Sequence, residues 1–128
     1  MNRSELHNAL VAAGWSEDAL KLGEMTGFRC EYCGKDFFHS VDDYYSFEVE
    51  HIIPRGKTEE KLENLTAVCS TCNFLKRRWD PRDVAGDTAT REELISAAQR
   101  HIKEQRRQKE EIVARERNLV KLYLAAID

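Results

Sequence analysis

The sequence predicts an α+β fold whose centre holds two short strands and whose two ends are helical. Residues 44–49 and residues 65–68 are rich in aromatic and β-branched side chains, which favour strands. Two Cys-x-x-Cys pairs flank these segments, and helix-start signals lie on either side of them. A chain of 128 residues with 41% hydrophobic residues is sufficient for one modest core. We therefore expect one compact domain with its functional core at residues 28–82.

The flanking segments carry the usual signals of helix beginnings. Ser16 is followed by two acidic residues, as the N-terminus of a helix favours, and residues 1–27 are expected to form an N-terminal helical scaffold. Thr90 and Glu93 form a capping box, and no Gly or Pro follows it. Residues 83–128 are therefore predicted to form a linker and a long C-terminal helix.

The apolar stripe of this last helix is interrupted. It is clear at residues 94–102, fades through residues 104–109 and returns between residues 112 and 127. The interrupted part is either solvated or in contact with a partner. The pattern leaves open a dimer through the C-terminal helix.

The overall charge argues against a protein that coats nucleic acid. Twenty Lys and Arg against 23 Asp and Glu give a net charge of −3, so any contact with DNA must come from a local basic patch. No apolar stretch approaches the roughly 20 residues that span a bilayer, and the first residues lack a secretory pattern. We expect a cytoplasmic protein with no membrane partner.

All four cysteines fall into two matched pairs, Cys30 with Cys33 and Cys69 with Cys72. In a reducing compartment, such pairs are more often metal ligands than disulfides, and four thiolates can enclose one Zn²⁺ as a tetrahedron. Unrelated buried thiols are the alternative. A closed tetrathiolate has no open coordination position, so this zinc is expected to be structural, and the chemistry must lie elsewhere.

The segment between the cysteine pairs holds residues suited to phosphodiester hydrolysis. Glu50 and His51 end the first predicted strand, Asn64 precedes the second, and Asn73 follows the last cysteine. Carboxylate and amide oxygens suit a hard cation, and a neutral imidazole can remove a proton from water.

These residues resemble the pattern of the HNH endonuclease family. The chain reads Glu50-His51-Ile52-Ile53-Pro54, then Asn64-Leu65, then Cys69-Ser70-Thr71-Cys72-Asn73 with Lys76 one turn later. The resemblance covers roughly residues 28 to 80 and implies a ββα-metal (His-Me finger) core with zinc knuckles. It also implies a metal-dependent DNA endonuclease as the activity.

Roles follow from the resemblance residue by residue. It implies that His51 is the general base, that Glu50 and Asn73 hold a catalytic Mg²⁺ or Mn²⁺, and that Asn64 holds the loop and orients the base. Lys76 matches a basic residue near the active helix. Activity should then need added Mg²⁺ or Mn²⁺ and fail below about pH 6, where imidazole becomes protonated. Asn73 in place of histidine marks the HNN variant, whose uncharged amide binds metal more weakly.

A basic patch of Arg55, Lys57, Arg77 and Arg78 is the candidate DNA-binding surface, and a solvated helix end is the alternative. Glu48 supports the catalytic residues or is simply exposed, and exposure is our interpretation. The competing function is a non-catalytic, zinc-stabilised module that binds nucleic acid through the same basic patch. Such a module has no need for a base beside a carboxylate.

Overall fold

A computed structural model describes residues 1–126, and the expected apolar positions after Ala126 lie outside the described residues. The fold is α+β, as predicted. In chain order the elements are α1 (Arg3–Ala12), α2 (Glu17–Thr26), α3 (Val41–Tyr45), β1 (Phe47–His51), a short 3-10 helix (Leu62–Asn64), β2 (Leu65–Cys69), α4 (Ser70–Lys76), α5 (Arg82–Ala85) and α6 (Arg91–Ala125). No helix among the described residues is long and apolar enough to cross a bilayer.

The two strands form an antiparallel sheet that is followed directly by a helix. Phe47 pairs with Cys69 at one end of the sheet, and His51 pairs with Leu65 at the other. Helix α4 begins at the residue after β2 and packs against both strands. This order of strand, strand and helix is compatible with a ββα core. It brings the end of β1 close to the side chains of α4.

The first strand begins later than the sequence predicted. Residues 41–45 form α3 instead of the start of a strand, because the Ser40 side chain accepts a hydrogen bond from Asp43 N at 3.0 Å and so caps a helical turn. Tyr44 and Tyr45, the first two residues of the predicted strand, are both exposed. A local cap has here outweighed the strand preference of two aromatic residues.

The core lies between the sheet, α2, α4 and the first third of α6. The capping box at Thr90 is present as predicted, and the buried residues of α6 end at Ile102. The ring of His101 on α6 stacks on Trp79 with centroids 4.1 Å apart. Helix α6 therefore packs along its beginning, and its second half carries several exposed apolar side chains.

Candidate functional site

The four cysteines meet at one point, as their spacing predicted. Their Sγ atoms all lie within 4.8 Å of one another. Gly34, with φ +81°, lets the backbone turn behind the first pair, and Cys69 caps α4 by accepting a hydrogen bond from Cys72 N at 3.4 Å. The edge of a tetrahedron with Zn–S bonds of about 2.3 Å measures about 3.8 Å. The distance between the Sγ atoms of Cys33 and Cys69 is 3.8 Å, so the cluster fits a tetrathiolate zinc.

One arginine of α6 approaches this cluster, and sequence reasoning missed it. Arg106 Nη2 lies 3.4 Å from Cys72 Sγ. Burial alone would lower the pKa of Arg106, but the hydrogen bond and the charge of Cys72 raise it overall. A tetrathiolate zinc carries net negative charge, which a guanidinium at this distance offsets. The faded part of the apolar stripe thus contains a contact between α6 and the cysteine cluster.

A cleft of about 190 Å³ between the end of β1 and α4 gathers most of the other predicted site residues. We call it the β1–α4 cleft. Its lining residues are Val49, Glu50, His51, Pro54, Arg55, Asn73, Arg77 and Arg78. The expected base and metal ligands therefore share one cleft with three of the four expected DNA-binding residues. Lys57, Asn64 and Lys76 are absent from its lining.

Glu50 is held from two sides. Its Oε2 accepts a hydrogen bond of 2.7 Å from the Tyr32 hydroxyl, and its Oε1 lies 2.6 Å from Lys76 Nζ. Burial raises the pKa of Glu50, while the charge of Lys76 acts in the opposite direction. Tyr32 lies among the residues of the first cysteine pair, so Glu50 connects the two halves of the site.

Lys76 lies in the interior, away from the surface position that a phosphate contact requires. Its side chain has 0% exposure, and its ammonium also donates a hydrogen bond to His51 O at 3.2 Å. Lys76 thereby fixes the backbone of the expected base and the carboxylate beside it. A buried ammonium is tolerated only when it is paired in this way.

His51 is a quarter exposed and has one carboxylate partner. Its Nε2 lies 3.1 Å from Glu60 Oε2, a contact between a strand residue and a loop residue that the sequence pattern did not indicate. A carboxylate can only accept a hydrogen bond, so in neutral imidazole Nε2 carries the hydrogen and Nδ1 keeps its lone pair. The nitrogen able to accept a proton is then Nδ1.

Asn64 fixes the loop that follows His51. Its side chain accepts a hydrogen bond from Ile53 N at 2.8 Å and donates one to Ile53 O at 2.9 Å. Its own carbonyl accepts from Ile52 N at 2.8 Å. Three hydrogen bonds therefore tie the chain after His51 to Asn64, the residue just before β2, and hold in place the backbone that leads into the cleft.

Asn73 is hydrogen-bonded to Glu48, which the sequence interpretation had left exposed. The Nδ2 atom of Asn73 donates a hydrogen bond to Glu48 Oε1 at 2.7 Å. Glu48 lies on β1 and is half-buried. The interpretation of Glu48 as an exposed residue was therefore wrong. Strand alternation places Glu48 and Glu50 on the same face of β1, towards α4.

The basic residues of the cleft are partly ordered by their own contacts. Arg77 directly follows α4 and has φ +50°, an unusual value for a non-glycine residue. Its guanidinium lies 4.4 Å from the centre of the Phe74 ring. Arg78 donates to Arg55 O at 3.3 Å. Lys57 is exposed in the same loop as Arg55. The cleft therefore presents several cations beside His51 and Asn73.

Comparison with known proteins shows that the central segment is similar to one family. Residues 30–78 match the model described as HNH endonuclease, and this segment contains both cysteine pairs and the lining of the β1–α4 cleft. The comparisons with curated proteins and with solved structures gave no significant match. Residues 30–78 of this chain are therefore similar to the HNH endonuclease family, and the four cysteines positioned to bind a metal ion fit its zinc-binding variant.

Proposed function

We propose that this chain is a metal-dependent DNA endonuclease that hydrolyses phosphodiester bonds in the β1–α4 cleft. The observation that carries the proposal is the convergence of His51, Asn73 and three arginines on one small cleft within the matched HNH segment. A base, oxygen ligands and phosphate-binding cations are the groups that hydrolysis of a phosphodiester needs.

In this proposal His51 is the general base. Its Nε2 faces Glu60, which leaves Nδ1 to accept the proton of the attacking water. The three hydrogen bonds between Asn64 and the Ile52–Ile53 backbone, together with the bond from Lys76 to His51 O, limit movement of the base. Such fixed geometry is what allows a general base to act on a water held at one place.

The catalytic cation is proposed to be Mg²⁺ or Mn²⁺ held by Asn73 and Glu50. Both residues line the cleft, and their oxygen donors match the preference of these ions. A divalent cation there would offset the negative charge that develops on the phosphate and the leaving oxygen. Glu50 is held by Tyr32 and Lys76, so its carboxylate must give up part of the Lys76 contact to serve as a ligand.

The basic residues of the cleft are proposed to bind the DNA backbone. Arg55, Arg77 and Arg78 line the cleft, and Lys57 lies on the adjoining loop. Because the net charge of the chain is −3, this local patch is what would direct a polyanion to the cleft. The proposed core is of the ββα-metal type, because the cleft lies between β1 and α4 and because α4 packs against both strands.

The proposal is tested by nicking of supercoiled plasmid with the zinc-loaded chain. We expect nicked product when Mg²⁺ or Mn²⁺ is added and none when the added cation is omitted. Omission is preferable to a chelator, which would also strip the cysteine cluster. An Asn73→Ala chain should need more cation for the same rate. Absence of nicking with either cation across a wide concentration range would favour the non-catalytic nucleic-acid-binding module.

Removal of two cleft arginines should weaken DNA binding without regard to sequence. An Arg77→Ala, Arg78→Ala chain loses two phosphate contacts, so the slope of log affinity against log salt should fall by about 0.9 for each. The measurement is fluorescence anisotropy of a labelled duplex over a salt series, with thermal unfolding to check the fold.

The matched control is an Arg115→Ala, Arg117→Ala chain, which removes the same charge from an exposed part of α6. This control should keep the salt slope of the unmodified chain. If the two double variants behave alike, the cleft arginines are ordinary solvated surface and the proposed DNA-binding surface is incorrect.

A further inference from the structure

The side chain of Asn73 can face the cleft in two ways that differ in chemistry. An amide has an oxygen at one end and an NH₂ group at the other, and only the oxygen can bind a cation. Asn73 lines the β1–α4 cleft, whereas Glu48 lies outside its lining. The contact between Asn73 Nδ2 and Glu48 Oε1, at 2.7 Å, therefore directs the NH₂ end away from the cleft.

The opposite orientation of the amide is disfavoured by charge. It would put Asn73 Oδ1 against a carboxylate oxygen at the same short distance, and two acceptors cannot share a hydrogen bond. Glu48 is half-buried in β1, and its neighbour on the sheet, Val68, is fully buried, so the carboxylate has a rigid support. The backbone of Asn73 is equally fixed, because its carbonyl accepts from Arg77 N at 2.8 Å.

We infer that Glu48 is a positioning residue that fixes the amide of Asn73 so that Oδ1 faces the cleft as a cation ligand. The inference rests on the proposed function and adds Glu48 to it, a residue outside the proposed ligand pair of Glu50 and Asn73. An uncharged amide is a weak ligand, so the affinity for the cation depends strongly on how well the amide oxygen is aligned with it. Loss of a group that orients a metal ligand typically lowers metal affinity about 10- to 100-fold.

The test measures Mn²⁺ binding to the zinc-loaded chain without DNA, from the electron paramagnetic resonance signal of free Mn²⁺. The loss of Mn²⁺ affinity in the Asn73→Ala variant shows how much of the binding occurs at the cleft site. Glu48→Gln keeps the shape of the side chain, yet a glutamine can accept from or donate to Asn73 and no longer selects one orientation. We expect Glu48→Gln to lower Mn²⁺ affinity about 10- to 100-fold.

A second background separates positioning from a simple effect of charge. In an Asn73→Asp chain both orientations present an oxygen, so orientation ceases to matter. Glu48→Gln should then cause no loss of Mn²⁺ affinity in the Asp background. Equal losses in the two backgrounds would show that Glu48 acts as a ligand or through its charge, and would overturn the inference.

The control is Glu116→Gln, which removes the same charge from an exposed position of α6 and should leave Mn²⁺ affinity unchanged. Zinc content and thermal unfolding show whether each variant is folded. If Asn73→Ala weakens Mn²⁺ binding but Glu48→Gln does not, this inference fails and the proposed function stands. If Asn73→Ala has no effect, both this inference and the proposed metal site fail, whereas plasmid nicking still reports separately on the nuclease.

Discussion

Replacing Cys69 with serine is expected to remove the bound zinc and to unfold the centre of the domain. Cys69 contributes a thiol to the cluster, caps α4 through Cys72 N, and ends β2 opposite Phe47. Zinc binding in small zinc domains contributes about 10–16 kcal/mol, as much as the whole net stability of about 5–15 kcal/mol of a typical protein. A serine hydroxyl keeps the cap but is a poor zinc ligand, so the metal contribution is what the variant loses.

The measurements are metal content after extensive washing and thermal unfolding by circular dichroism. The unmodified chain should retain one zinc, and Cys69→Ser should retain none and lose its cooperative transition. Thr71→Ser is the matched control, because it changes an exposed residue of the same turn that offers no ligand. A washed chain that is folded and free of zinc would refute the structural role of the cluster.

The cysteine cluster and the start of α6 were predictable because each depends on local spacing. Two Cys-x-x-Cys pairs admit few geometries for four thiols, so the cluster was predictable once all the cysteines were paired. The capping box at Thr90 is equally local, and it placed the start of α6 correctly. In both cases a few neighbouring residues determine the structure.

Two of the contacts that sequence reasoning missed join distant parts of the chain. Glu48 and Asn73 are 25 residues apart, and Arg106 is 34 residues from Cys72. Nothing in the local pattern distinguishes these charged residues from solvated ones, and exposure is the ordinary expectation for such side chains. Only the packing of α4 against β1 and α6 brings them together.

Lys76 is a residue whose position the sequence predicted but whose burial it did not. The family resemblance placed Lys76 near the active helix, and it is the last residue of α4, where a lysine is normally solvated. Its burial depends on Glu50, which pairs with its charge, and on the carbonyl of His51, which accepts its hydrogen bond. The strand register that presents these two partners is a tertiary property, so the sequence predicted the position of Lys76 and not its environment.

Replacing His51 with alanine is expected to lower the rate of DNA cleavage about 10²- to 10⁴-fold, the usual contribution of a general base. Binding of DNA should remain close to that of the unmodified chain, since the arginines that line the cleft are unchanged. The base acts only on water during the chemical step, whereas the arginines act on the phosphates before and after it. Cleavage is measured by plasmid nicking with added Mg²⁺, and binding by anisotropy without added divalent cation.

The matched control for this variant is His39→Ala, because His39 is exposed and lies outside the cleft lining. It should change neither cleavage nor binding. A further comparison is Glu60→Gln, which keeps a hydrogen-bonding group opposite His51 Nε2 but removes its charge. This variant should reduce cleavage less than His51→Ala does, because the imidazole remains in place. If His51→Ala cleaved plasmid as fast as His39→Ala, the imidazole would not be the base, and the water would have to be deprotonated by another group of the cleft.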